Sequence, residues 1–250
     1  MAKSPADARA AASLPSGGYL HWSRDAAVGC CAVLPLWLLY EGLRLLLTPE
    51  ERNGAEALLL REIGRLGVPG HLVLTAAFAL LTLLSAASLK RRDVPWMRIA
   101  AVIALEGTLY ALLLGPLSQQ LASSAQRLLA TGVVPSSLAA NLVHSIGAGV
   151  FEELVFRLGL MSLLVWLVLR PVRAWSLPSW TAGVVAVVVS ALVFSWFHHL
   201  CGEPWDSGRF TYRAMAGLLL GVLMWVRGFG VCVYTHAIYD VWFYLSADGS

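Results

Sequence analysis

"GHLVLTAAFALLTLLSAASL", residues 70–89, runs for twenty residues without an Asp, Glu, Lys or Arg. A helix rises about 1.5 Å per residue, so such a segment matches the roughly 30 Å hydrocarbon core of a bilayer. It shows no period-two alternation, and lipid admits only helices or closed barrels, whose backbone groups pair internally. The stretch therefore reads as a spanning helix. Outward from it, further apolar runs occupy residues 25–47, 96–118, 136–170, 180–199, 212–226 and 229–246. The run at 136–170 exceeds one span, and an interfacial turn at its end would account for the excess. The last two runs are short and are separated by little more than Arg227 and Gly228. The predicted fold class is all-α, a polytopic transmembrane helical bundle with six to eight spans.

Composition agrees with lipid as the solvent. The 250 residues are 58% hydrophobic and 13% charged, with a mean hydropathy of +0.70. A soluble domain carries about 25% charged residues. Three regions follow: a polar N-terminal tail at 1–24, N-terminal transmembrane helices with interfacial segments at 25–135, and transmembrane helices rich in ionisable residues at 136–246. Two pieces read as interfacial amphipathic helices, "EERNGAEALLLREIGRLG" at 50–67 and "LSQQLASSAQRLLATG" at 117–132. The tail lacks the apolar core of a cleavable signal peptide, so the first span is expected to direct insertion. Lys and Arg counted over alternate loops favour an inside N-terminus.

The formal charge of +3 is spread over loops, which speaks against a nucleic-acid partner. Four cysteines without metal-type spacing argue against a disulfide framework and a zinc-thiolate site.

"GVFEELVFRLGL", residues 149–160, then poses a burial problem. A charge at the bilayer centre costs roughly 2.5–3.5 kcal/mol on insertion scales. Glu153 and Arg157 share a helix face at i, i+4 and can pair. Glu152 lies about 100° away and needs a reason of its own. "ALVFSWFHHL" sets Phe194 and His198 one turn apart, and "CVYTHAIYDVW" does the same for His236 and Asp240. Convergence of the three helices on one polar cavity would relieve all three penalties. It would also place a carboxylate beside imidazoles, the equipment for activating water. Taken singly, each motif reads equally well as a structural staple.

Other chemistry finds no support. No H-E-x-x-H zinc motif and no G-x-S-x-G nucleophile elbow occurs. An intramembrane aspartyl pair would need a second spanning Asp beside Asp240.

The ordered set E-E-x-x-x-R, F-x-x-x-H and H-x-x-x-N/D resembles the intramembrane family of CAAX proteases and bacteriocin-processing enzymes, which includes the Ras-converting CAAX endoprotease. The matching residues are Glu152, Glu153 and Arg157; Phe194 and His198; His236 and Asp240, within roughly residues 136–245. The resemblance implies an intramembrane endopeptidase that hydrolyses a peptide bond in a membrane-delivered protein tail or peptide. It implies Glu152 as the base with His198 assisting, Glu153 and Arg157 holding the geometry, and His236 supporting the oxyanion. Spacing by itself leaves open which adjacent Glu is the base.

Asp240 departs from the endoprotease branch, which carries Asn there. An ionised Asp cannot donate to an oxyanion. It can orient His236, or join a zinc site as a ligand. The expectation is no cofactor, with zinc as the alternative. The partners expected are a membrane-anchored protein or peptide substrate and the lipid bilayer, in a bacterial inner membrane. A transporter and a non-catalytic immunity or scaffold protein are the rival classes. Residues 1–135 show neither a substrate signature nor the inverted repeats of a carrier.

Overall fold

The computed structural model describes residues 18–45, 53–123, 138–201 and 203–247. The described residues form helices joined by short connections, with no strand among them. The order is α1 (Gly18–Trp22), α2 (Ala26–Arg44), α3 (Gly54–Gly64), α4 (Gly70–Arg91) and α5 (Trp96–Ser123). Then come α6 (Leu138–Gly147), a π-helical segment (Ala148–Met161), α7 (Ser162–Ala174), α8 (Trp180–Leu200), α9 (Ser207–Arg227) and α10 (Phe229–Ala247).

Among the described residues, five segments are long and apolar enough to cross a membrane: Ala26–Arg44, Gly70–Arg91, Trp96–Leu121, Ala140–Ala174 and Trp180–Leu200. The chain is thus an integral membrane protein built as an all-α bundle. Five is fewer than the six to eight expected because α9 and α10 fall outside this set. α9 carries Arg209, Arg213 and Arg227, and α10 carries His236, Asp240 and several tyrosines, which lower their apolar character.

The outer surface is oily. Leu83 and Leu84 of α4, Leu105, Leu109 and Leu112 of α5, and Val184, Val188 and Leu192 of α8 are exposed. So much contiguous aliphatic surface suits contact with lipid tails rather than water. α10 is the opposite case. Its residues from Phe229 to Ala237 are buried on every side, the mark of a helix at the centre of a bundle. It packs on α5, the π-helical segment, α6, α2 and α9.

Small residues permit that central position, as expected where close backbone approach drives helix association. A Cβ on Gly107 of α5 would lie 2.5 Å from Tyr234 Cβ. A Cβ on Gly149 would lie 2.5 Å from Ala237 Cβ and 2.7 Å from the Ala237 amide nitrogen. Gly149→Leu is therefore expected to push the π-helical segment off α10, at about 1–3 kcal/mol for overpacking. Thermal unfolding in detergent and a peptide-cleavage assay check this. A variant equal to wild type in both would show that the contact gives way without consequence.

Within the run at 136–170, the described residues from 138 onward form one continuous helical stretch from α6 through α7, rather than a span with an interfacial turn. Its middle closes i→i+5 hydrogen bonds. Such π-type geometry is rare and is often found at functional sites. The 35-residue span Ala140–Ala174 would measure over 50 Å as a regular α-helix, well beyond the hydrocarbon core.

Of the two pieces read as interfacial, 50–67 contains α3. Its Ala55 joins Tyr40, Val143, Ile146, Val150 and Phe151 in a buried cluster. Arg61, Glu62 and Arg65 form ion pairs on its exposed face. The other, 117–132, begins as the end of α5, and the rest of it lies outside the described residues. So do residues 1–17 of the tail.

Candidate active site

The π-helical segment brings Glu152, Glu153 and Arg157 into the bundle where α8, α9 and α10 meet it. Glu153 is fully buried, and two hydrogen-bond partners and one ion-pair partner converge on its carboxylate. Arg157 Nη1 lies 3.0 Å from Oε1, His236 Nδ1 lies 2.7 Å from the same oxygen, and Cys232 Sγ donates to Oε2 at 3.0 Å. A buried carboxylate surrounded in this way is a fixed element of the structure. Arg157 is also fully buried. Its guanidinium sits 4.3 Å from the centre of the Phe194 ring, and Nη2 reaches the Gly217 carbonyl at 3.4 Å. Phe194 thereby explains the aromatic position before His198: it roofs the cation and meets the rings of both His198 and His236 edge-on.

Glu152 is held differently. Its Oε1 accepts a hydrogen bond from Asn53 Nδ2 at 2.9 Å. Its other neighbours are two imidazoles beyond bonding distance: His198 Nε2 is 3.8 Å from Oε1, and His236 Nε2 is 3.8 Å from Oε2. Gaps of this size between polar atoms are what a bridging water spans.

Hydrogen bonding fixes how each ring is oriented. His198 Nδ1 lies 3.0 Å from the Phe194 carbonyl oxygen. A carbonyl only accepts, so Nδ1 carries a proton and Nε2 faces Glu152. His236 donates through Nδ1 to Glu153, which leaves Nε2 facing Glu152 and, at 3.5 Å, Asp240 Oδ2. Three carboxylates and one permanent cation surround that second imidazole.

Burial gives the cluster a closed and an open side. The Glu153 and Arg157 side chains are 0% exposed, whereas those of His198 and Asp240 are 23% and 21% exposed. Access is therefore over His198 and Asp240. Beside that opening, the 203–206 connection is pinned by Glu203, which accepts from both Arg209 and Arg213. Burial by itself would raise the Glu203 carboxyl; the two guanidiniums outweigh it and hold the carboxyl below its ordinary range.

All six site residues singled out in the sequence meet in this one cluster. Two further members, Asn53 and Cys232, escaped the sequence reading. Cys232 could have been found, since it stands one helical turn before His236. Asn53 had a signal of another kind. An Asn before a helix with Glu three positions on reads as an N-cap, but nothing in the chain shows that the cap reaches a residue 99 positions away.

A protein-family model described as "Type II CAAX prenyl endopeptidase Rce1-like" matches residues 134–242. Over that segment, which is less than half of the chain, the protein is similar to the CAAX prenyl endopeptidases. The match contains Glu152, Glu153, Arg157, Phe194, His198, His236 and Asp240, and it excludes Asn53. The matched family is one of proteases, and a carboxylate beside imidazoles in this cluster suits that chemistry. No curated protein and no solved structure matched the chain in the other two comparisons. Among the described residues, no three or more His, Cys, Asp or Glu side chains form a group that could hold a metal ion.

Proposed function

We propose that the protein is an intramembrane endopeptidase in which Glu152 and His198 activate a water molecule against a peptide bond of a membrane-delivered tail. One observation carries the reading. Of two adjacent buried carboxylates, Glu153 is ion-paired to Arg157 and hydrogen-bonded to His236 and Cys232, while Glu152 faces two imidazoles across gaps of 3.8 Å. The paired carboxylate holds the scaffold; the other has room to accept a proton.

In this mechanism a water lies between Glu152 and His198 Nε2. Its oxygen attacks the carbonyl carbon as its proton passes to Glu152. His236, doubly protonated and anchored through Nδ1 on Glu153, donates from Nε2 to the oxyanion that forms. The C–N bond then breaks, and the proton on Glu152 moves to the departing amine, leaving a carboxylic acid, which ionises on release, and an amine. The substrate fits as a tail tethered in lipid, because its scissile bond must pass over His198 and Asp240 into a site otherwise closed by helices. The matched family's description as CAAX prenyl endopeptidases makes a lipidated C-terminal tail the first substrate to try. Purified protein in vesicles, offered a lipid-anchored fluorogenic peptide, provides the test. Release of the distal peptide from anchored substrate, but not from its soluble analogue, supports the reading. Cleavage of neither would reject it.

Asp240→Asn separates metal-free from zinc chemistry. In the metal-free site the substitution removes a carboxylate that competes for His236 Nε2 and adds a neutral donor. Activity should then persist or rise, survive chelators, and come with no stoichiometric zinc by elemental analysis. In a zinc site drawn from these residues, Asn is the weaker ligand, and metal and activity should fall together. Stoichiometric zinc in the wild type, lost with proteolysis in Asp240→Asn, would overturn the metal-free mechanism.

A further inference from the structure

The bond from Asn53 to Glu152 joins the site to a part of the chain that no motif covers. Asn53 is the N-cap of α3, and its Oδ1 accepts the Ala55 amide at 2.8 Å. That bond settles which end of the amide faces the site. The backbone N–H must meet an acceptor, so Oδ1 turns to the helix and Nδ2 turns to Glu152 Oε1, 2.9 Å away. Both bonds are buried, and Asn53 itself is only 9% exposed.

The surroundings keep this arrangement in register. The cap holds the first turn of α3, and Ala55 in that turn is packed into the cluster formed by Tyr40, Val143, Ile146, Val150 and Phe151. A Cβ added to Gly147, in the turn before the π-helical segment, would sit 3.4 Å from Asn53 Cβ and 3.1 Å from the Tyr40 ring. The cap and the carboxylate-bearing helix are therefore in van der Waals contact as well as hydrogen-bonded.

We infer that Asn53 is a positioning residue for the proposed hydrolysis: its amide fixes the rotamer of Glu152 and occupies one lone pair of Oε1, aiming the remaining lone pairs at the imidazoles. The inference rests on the hydrolytic reading above. It makes α3 part of the catalytic apparatus, although the family match begins about eighty residues after it. An unheld Glu152 could rotate toward His236 or Asp240, and misplacement of a reacting group by about 1 Å costs roughly 10²-fold in rate.

The cap and the donor can be separated by substitution. Asn53→Ser keeps a good cap but ends short of Glu152; Asn53→Asp keeps the cap and replaces the donor with a second carboxylate; Asn53→Ala removes both. Full-length protein in vesicles, with the lipid-anchored peptide as substrate, gives kcat and KM, and detergent unfolding gives the thermal midpoint. In Asn53→Ser we expect kcat to fall about 10²-fold, with KM within about threefold, the pattern of a group that acts on the chemical step. Its thermal midpoint should stay within about 2 °C of wild type, since the cap survives. Asn53→Asp should lose at least as much kcat, and Asn53→Ala should lose thermal midpoint in addition. Wild-type kcat in Asn53→Ser would overturn the inference and leave Asn53 a cap only. So would a kcat loss that appears only together with a matching fall in midpoint. A wild-type protein that cleaves no anchored peptide would instead defeat the hydrolytic reading, and this inference with it.

Discussion

Glu152→Gln should abolish peptide cleavage while the protein inserts, accumulates and unfolds at the wild-type temperature. The amide is isosteric with the carboxylate and can still bond to Asn53, so packing around 3%-exposed Glu152 is preserved. What disappears is the capacity to take a proton from water and return it to the leaving amine. General acid–base catalysis contributes roughly 10²- to 10⁴-fold, so the loss should fall in that range or beyond it. Cleavage of a lipid-anchored peptide in vesicles measures the rate, and membrane fractionation with detergent unfolding measures insertion and stability. Full proteolysis by the purified variant would move the base to Glu153. That outcome would be hard to reconcile with a carboxylate already engaged by Arg157, His236 and Cys232.

The second large effect concerns stability. Arg157→Met leaves Glu153 buried at 0% exposure with its permanent cation removed. Breaking a buried ion pair from one side costs about 3–5 kcal/mol, because the remaining charge has lost its partner and cannot be hydrated. At roughly 2–4 °C per kcal/mol for a chain of this size, the thermal midpoint should drop by about 6–20 °C. Pairing the change with Glu153→Leu should restore much of that loss, since an apolar pair of similar volume removes both charges. The double variant should remain inactive, because His236 would lose the acceptor that orients Nδ1. An Arg157→Met protein as stable as wild type would mean that Glu153 is neutral in the folded state. The scaffold role assigned here to the pair would then fail.

Both effects turn on a distinction between two neighbouring glutamates that the linear pattern did not contain. Spacing showed that Glu153 and Arg157 could pair and that Glu152 stood apart. It could not show that Cys232 and His236 of another helix complete the shell around Glu153, nor that Asn53 holds Glu152. Each of these partners lies 79 to 99 residues away along the chain. The π-type winding of Ala148–Met161 was equally hidden, because an i→i+5 ladder leaves no hydrophobic period distinct enough to separate it from a regular helix.

What the sequence determined by itself was the solvent and the ionisable residues that must be sheltered from it. Uncharged runs of about twenty residues permit only helices in lipid, and ionisable side chains inside such runs are too costly to be scattered at random. That argument, with the resemblance of the three motifs to the CAAX proteases, led to the expectation that Glu152, Glu153, Arg157, His198, His236 and Asp240 converge. The tertiary structure decided which partners each of these residues meets. Roles depend on angstrom-scale distances between helices, and those are set by close approaches such as Gly149 against Ala237 and by a cap on α3 that turns an amide toward Glu152. Hydropathy and spacing are properties of a single helix; a carboxylate's share of donors is a property of how several helices pack.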